Sequence, residues 1–219
     1  MSPSNFDEPT LDRAWEIVDI VGQVYDRSAD TTAVIDRVKD GIAEVTDRVP
    51  ELSEQDRPEA ASFATTNYLM GQHRIQSYML TDVLGAVNVV EGPGTFIPVA
   101  EEQLLDLDPA SLVVIGHEGY LSVDQIRAGE TVGLNWSSVA SLSALESGRI
   151  VDLGFDEWRP TIETPIAMLK IASMLYPDQF ADIDVAQRER EFYQDVYGLD
   201  EAGAEQAILD QQWMPGSSE

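Results

Sequence analysis

Short apolar runs that alternate with helical periodicity predict an α/β fold: a mainly parallel sheet flanked by helices and preceded by a long helical segment. Three observations carry this. Residues 11–48 hold two helical stripes and no strand pattern, residues 59–153 alternate apolar runs with amphipathic stretches, and residues 162–212 are helical again.

Trp15, Val18, Val21 and Tyr25 recur at helical spacing over residues 11–26, with Thr10 placed to cap the start. Ser28-Ala29-Asp30 interrupts them, and Asp30 is placed to cap a second helix over 31–48 striped by Val34, Val38, Ile42 and Val45. Residues 50–58 are polar and bounded by Pro50 and Pro58, which reads as an exposed loop. Strands are then expected over 60–66, 87–90, 112–115, 131–133 and 149–153, with helices over 77–84, 99–105, 122–128 and 137–147. Helices over 162–175, 184–197 and 201–212 close the chain. The expected organisation is a disordered tail (1–10), a helical segment (11–49), an α/β lobe (59–200) and a C-terminal helix with its tail (201–219).

Forty Asp and Glu against thirteen Lys and Arg leave a formal charge of −27 on 219 residues, and Lys39 and Lys170 are the only lysines. Such a surface repels itself unless salt screens it, and a screening length of about 3 Å at 1 M ionic strength predicts a salt-rich environment. The same balance argues against nucleic acid or anionic lipid as a ligand, because phosphate binding needs clustered cations. Hydrophobic residues make up 43% of the chain, enough for a globular core. The absence of cysteine excludes disulfides, thiolate metal sites and cysteine nucleophiles. No apolar run is long enough to span a membrane. Residues 1–10 show neither a secretory signal nor a lipid-anchor cysteine.

Ligands of open parallel sheets bind beyond the carboxyl ends of the strands, where loop amides and helix N-termini converge. The expected strands place the loops 67–74, 91–97, 117–121 and 155–160 there. These loops hold Tyr68, His73, Phe96, His117, Tyr120, Trp158 and Arg159, a set suited to a large organic ligand with aromatic walls and one or two polar hooks. Arg159 has the alternative of pairing with Asp156 and Glu157. Gly92-Pro93-Gly94 reads as a turn; neither a nucleotide cradle nor a nucleophile elbow nor a zinc-protease signature occurs. No cofactor is expected, and no catalytic set is assembled.

Several segments occur in an order that resembles the substrate-binding proteins of ABC importers for iron-siderophore, haem and cobalamin. Residues 99–109 run as a helix into Asp108-Pro109, followed by the buried strand Leu112-Val113-Val114-Ile115. Trp136 precedes Leu142-Ser143-Ala144-Leu145-Glu146-Ser147-Gly148-Arg149-Ile150, then Trp158, Glu163-Thr164-Pro165 and Leu175-Tyr176-Pro177-Asp178-Gln179-Phe180. The resemblance implies the C-terminal lobe of a two-lobe binding protein, with residues 11–49 as helices bridging the lobes. It further implies a cleft faced by the loop around Trp158, a permease partner docked through Glu157 or Glu163, and a place outside the cell membrane. The N-terminal lobe of that family has no counterpart in this sequence, so either a truncated form or a stand-alone half is expected. On this reading the protein is not an enzyme. Three rivals stand beside it: a zinc or manganese transport protein using His73, His117 and Glu118; a metal-dependent enzyme using His117 and Glu118; and a cytoplasmic fragment that binds a partner through an exposed apolar helix face.

Overall fold

The computed structural model describes residues 9–92, 94–116 and 120–211. Expectations for the two termini, for His117 and Glu118 and for Pro93 lie outside the described residues.

Two helices lead, α1 (Asp12–Val24) and α2 (Ser28–Thr46). Neither begins with the expected cap. Leu11 and Arg27 occupy the cap positions without side-chain bonds, and Asp30 sits inside the first turn of α2, where its charge meets the helix dipole. The sheet follows: β1 (Glu59–Ala64), β2 (Tyr68–Met70), β3 (Val87–Asn88), β4 (Phe96–Pro98), β5 (Leu112–Ile115) and β8 (Ile150–Leu153), in the order β4-β2-β1-β5-β8 with β3 also on β1. Strands β1, β3, β5 and β8 pair in parallel, whereas β2 and β4 run antiparallel along one edge. Between them come α3 (Ile75–Tyr78), continued by a π-helical turn Met79–Val83, then α4 (Glu101–Leu107) and α5 (Val123–Arg127). A separate hairpin, β6 (Thr131–Val132) with β7 (Leu134–Asn135), precedes a 3-10 turn Trp136–Val139 and α6 (Ser143–Glu146). Helices α7 (Thr164–Leu175), α8 (Val185–Tyr197) and α9 (Glu201–Asp210) end the fold.

Alternate residues of each strand enter opposite cores, as the two-residue pleat requires. Ala60, Ala64, Met70, Val113, Ile115 and Leu153 pack with Trp15, Val38, Met168 and Ile171. Phe63, Leu69, Leu112, Val114 and Ile150 pack with Leu104, Ile126, Trp136 and Leu142. Helix α7 is apolar almost all round because it lies between the sheet and α2. Gly41 of α2 permits that approach, since a Cβ there would come within 2.9 Å of Pro165.

The expected helix over 137–147 is broken. Asn135 caps the 3-10 turn at Ser137, Leu142 takes an extended conformation, and Asp108 accepts hydrogen bonds from both the backbone and the hydroxyl of Ser143. The side chain that starts α6 therefore comes from 35 residues upstream, and no local pattern records it.

Candidate functional site

The first expected ligand loop turns out to be a hairpin. After β1 the chain reverses at Asn67, which takes a φ of +64°, and Tyr68 returns as the first residue of β2. Strand β2 carries the chain away from the tips of the parallel strands, so His73 and Arg74 lie beyond its far end from Tyr68. The expectation that Tyr68 and His73 share one rim is corrected by this reversal. Phe96 is likewise a strand residue, paired with Met70 on β4. The sequence concealed both strands because each holds only three residues, too few for alternation to register.

Tyr68 and Phe96 meet edge to face at 5.7 Å. The guanidinium of Arg74 lies over the Phe96 ring at 4.0 Å. Arg74 is 2% exposed, its Nε makes no hydrogen bond, and no carboxylate among the described residues pairs with it. Burial pulls its pKa down to about 10, so it remains a cation at neutral pH. A buried unpaired cation is expensive to keep, and such groups mark functional sites. Arg74 was not among the residues singled out from the sequence. A signal was present: residues 60–81 contain no Asp or Glu in a chain that has forty, so Arg74 stands in an acid-free window.

Gln76, also buried, donates from Nε2 to the carbonyl of Trp158 at 2.7 Å. This bond joins the start of α3 to the loop after β8, where the remaining expected residues lie. Trp158 is 4% exposed and packs in the core shared with α7, rather than walling a cleft. Arg159 stacks over Phe155 at 4.0 Å and Trp158 at 4.9 Å.

As placed, neither expected docking carboxylate faces a partner. Glu157 is 1% exposed and accepts from Gly154 N and from Lys170, the latter at 2.5 Å. Lys170 also reaches Glu189 at 2.6 Å. Burial alone would lower the pKa of Lys170, but the two carboxylates outweigh it and hold the ammonium group protonated well above its usual range. Burial raises the pKa of Glu157. Glu163 is 6% exposed and accepts the Tyr197 hydroxyl. Tyr120 donates its hydroxyl to Asp152, and burial together with that carboxylate pushes its pKa up.

Three cavities of the described residues do not collect the expected set. One of about 260 Å³ is lined by Tyr120, Asp152, Glu157, Lys170 and Glu189. One of about 330 Å³ lies between α1, α2 and the loop 156–163. The largest, about 970 Å³, is a groove between α2 and α8. None of the three is lined by Tyr68, His73, Phe96 or Trp158. Tyr68, Phe96, Arg74 and the Trp158 loop are instead joined through contacts on one side of the sheet. Among the described residues, no three His, Cys, Asp or Glu side chains gather as a metal site.

No family model and no curated protein matches this chain. Solved structures do. A periplasmic solute-binding protein from Veillonella parvula matches with a TM-score of 0.69 over 87% of this chain and 58% of its own, at 21% identity. The molybdate periplasmic binding protein MolA from Haemophilus influenzae, bound to molybdate, gives 0.68 over 87% and 57%, at 19% identity. A protein of an ABC-type Fe3+-hydroxamate transport system from Saccharomonospora viridis gives 0.61 over 76% and 56%, at 21% identity. The fold is that of periplasmic solute-binding proteins. The chain spans less than two-thirds of the length of these structures. The resemblance read from the sequence is borne out at the level of the fold.

Proposed function

We propose that this chain is the solute-binding component of an ABC importer. Its solute belongs to the expected group of iron(III)-siderophore, haem and cobalamin, and within that group an anionic iron(III) complex fits best. Arg74 carries the choice. A guanidinium held over the Phe96 ring at the start of α3, with no carboxylate partner among the described residues, is matched by a carboxylate, catecholate or hydroxamate oxygen of an incoming ligand. Tyr68 and Phe96 add aromatic surface beside it, and Gln76 ties this corner to the Trp158 loop. Delivery to a permease, outside the cell membrane, completes the reading. No helix among the described residues is long and apolar enough to cross a membrane.

Titration of the purified chain in molar salt with a ferric siderophore, haem, cobalamin and zinc, read by tryptophan quenching, tests the proposal. The anionic ferric complex is expected to bind, and Arg74→Met to weaken it by about tenfold or more, a loss of roughly 1.4 kcal/mol. Arg74→Lys is expected to recover part of the loss. Equal binding by Arg74→Met, or a response to zinc alone, would falsify the reading.

A further inference from the structure

The loop that carries Trp158 is gripped by the end of α9. Strand β8 forms one edge of the sheet, and the amides just past its tip lie where an open parallel sheet meets its ligands. Backbone amides withdrawn from water need acceptors, and here a single residue supplies two. Phe155 N donates to the backbone carbonyl of Gln211 at 2.9 Å, and Asp156 N donates to Gln211 Oε1 at 2.8 Å. The approach is close enough to dictate a glycine. A Cβ at Gly154 would stand 2.5 Å from Gln211 Cβ and 3.0 Å from the Gln211 carbonyl oxygen. The φ of Gly154 is not left-handed, so the approach itself is what requires glycine there. From the inner side Gly154 N is held by Glu157 at 2.7 Å.

The turn into α9 produces this placement. Gly198 ends α8 with a φ of +66°, and Asp200 caps α9 by accepting from Gly203 N at 2.8 Å. Helix α9 therefore packs back against α8 with Ala204 buried, and its Ile208 and Gln211 close one side of the cavity of about 260 Å³. Contacts continue from the loop to the candidate ligand corner. The carbonyl of Trp158 accepts from Gln76 Nε2, and Gln76 lies two residues beyond Arg74, which occupies the cap position of α3. Burial and the neighbouring Glu163 raise the pKa of Asp156, while Arg159 and the hydrogen-bonding side chain of Gln211 oppose that rise.

We propose that Gln211 is a positioning residue. By fixing the amides of Phe155 and Asp156 it sets the Trp158 carbonyl where it holds Gln76, and through Gln76 it steadies the start of α3, from which Arg74 meets a ligand. The ligand part of this inference rests on the function proposed above; the grip on the loop is measurable without any ligand.

Hydrogen exchange of the full chain in molar salt, followed by NMR, tests it with Gln211→Met, which keeps the side-chain length and removes the acceptor. Exchange at Asp156 N and at the Gln76 side-chain amide is expected to rise about fivefold or more, the effect of losing one hydrogen bond, while Val113 and Ile115 of β5 keep the rates of the parent. The Asp156 carboxyl is expected to titrate at higher pH than in the parent. Gly154→Ala crowds the same contact from the sheet side and is expected to reproduce the exchange pattern. In both variants the affinity for iron(III) tris-catecholate is expected to fall about threefold or more. Unchanged exchange at Asp156 and Gln76 overturns the proposal. An equal rise at Val113 and Ile115 also overturns it, because Gln211 would then be a general scaffold residue, and so does an unchanged affinity beside a released loop. Failure of the parent chain to bind the iron complex counts against the proposed ligand alone, since exchange at Gln76 still decides whether Gln211 positions it.

Discussion

Two cations of this protein, Arg74 buried and Lys170 partly so, are kept in opposite ways. Lys170 lies between Glu157 and Glu189, both within 2.6 Å. Arg74 lies over a phenylalanine ring with its Nε unpaired. In a chain with forty carboxylates the second arrangement is the anomalous one. A cation beside its own counter-ions has the cost of its burial offset within the fold, whereas one without them among the described residues leaves that cost uncompensated. The first belongs to the scaffold that fixes the loop after β8, and the second to the candidate site.

The largest expected effect comes from breaking the scaffold pair. Lys170→Met leaves Glu157 and Glu189 without a cation, and the loss of one partner from a buried pair costs about 3–5 kcal/mol. Urea denaturation at neutral pH in molar salt measures it. A loss under 1 kcal/mol would show that the triad does not hold the loop.

The same variant predicts a pH dependence. Burial already raises the pKa of Glu157 in the fold, and removal of the ammonium group raises it further. A carboxyl with a folded pKa above its unfolded value favours the fold at low pH, and that contribution is lost as pH rises through the folded value. The stability gap between parent and Lys170→Met is therefore expected to narrow on acidification from neutral pH. A constant gap would mean that the lost packing of the lysine stem matters more than the orphaned charge.

Arg74→Met is expected to act with the opposite sign. Burial holds the folded pKa of Arg74 at about 10, below its ordinary value, so the fold disfavours its charge at every pH below about 10. With the aromatic contact discounted, its removal is expected to stabilise the protein by about 1–2 kcal/mol while ligand binding falls. A destabilised variant would make Arg74 a second scaffold cation and erase the contrast. The smallest effect is expected at Arg159, half-buried and stacked on Phe155 and Trp158. Arg159→Lys loses planar stacking and is expected to cost about 0.5 kcal/mol in thermal unfolding.

The parts of this fold that were legible in sequence are those whose neighbours lie close along the chain or whose surroundings are uniformly apolar. Strand β5 was read residue for residue, because both its faces are buried and Leu112-Val113-Val114-Ile115 is a continuous apolar run. Helices α7 and α8 were read to within about two residues at each end, within the usual scatter of helix boundaries. The candidate site was legible only in part. Tyr68 and Phe96 were named as aromatic walls and do meet, but as members of paired strands. Trp158 was named for its place after a strand, yet it packs inward. Arg74 was passed over because a lone arginine carries no motif.

The alternation of apolar runs and helical stripes, the acid-rich surface and the absence of cysteine were settled by the order and kind of residues, because each depends on local periodicity or on composition. The tertiary structure alone decided the antiparallel turn at Asn67, the capture of Ser143 by Asp108, and which buried cation met a carboxylate. Those outcomes depend on groups far apart in the chain: Lys170 finds Glu157 and Glu189 only when α7 lies between the sheet and α8, and Arg74 meets an aromatic ring only because β4 brings Phe96 to it.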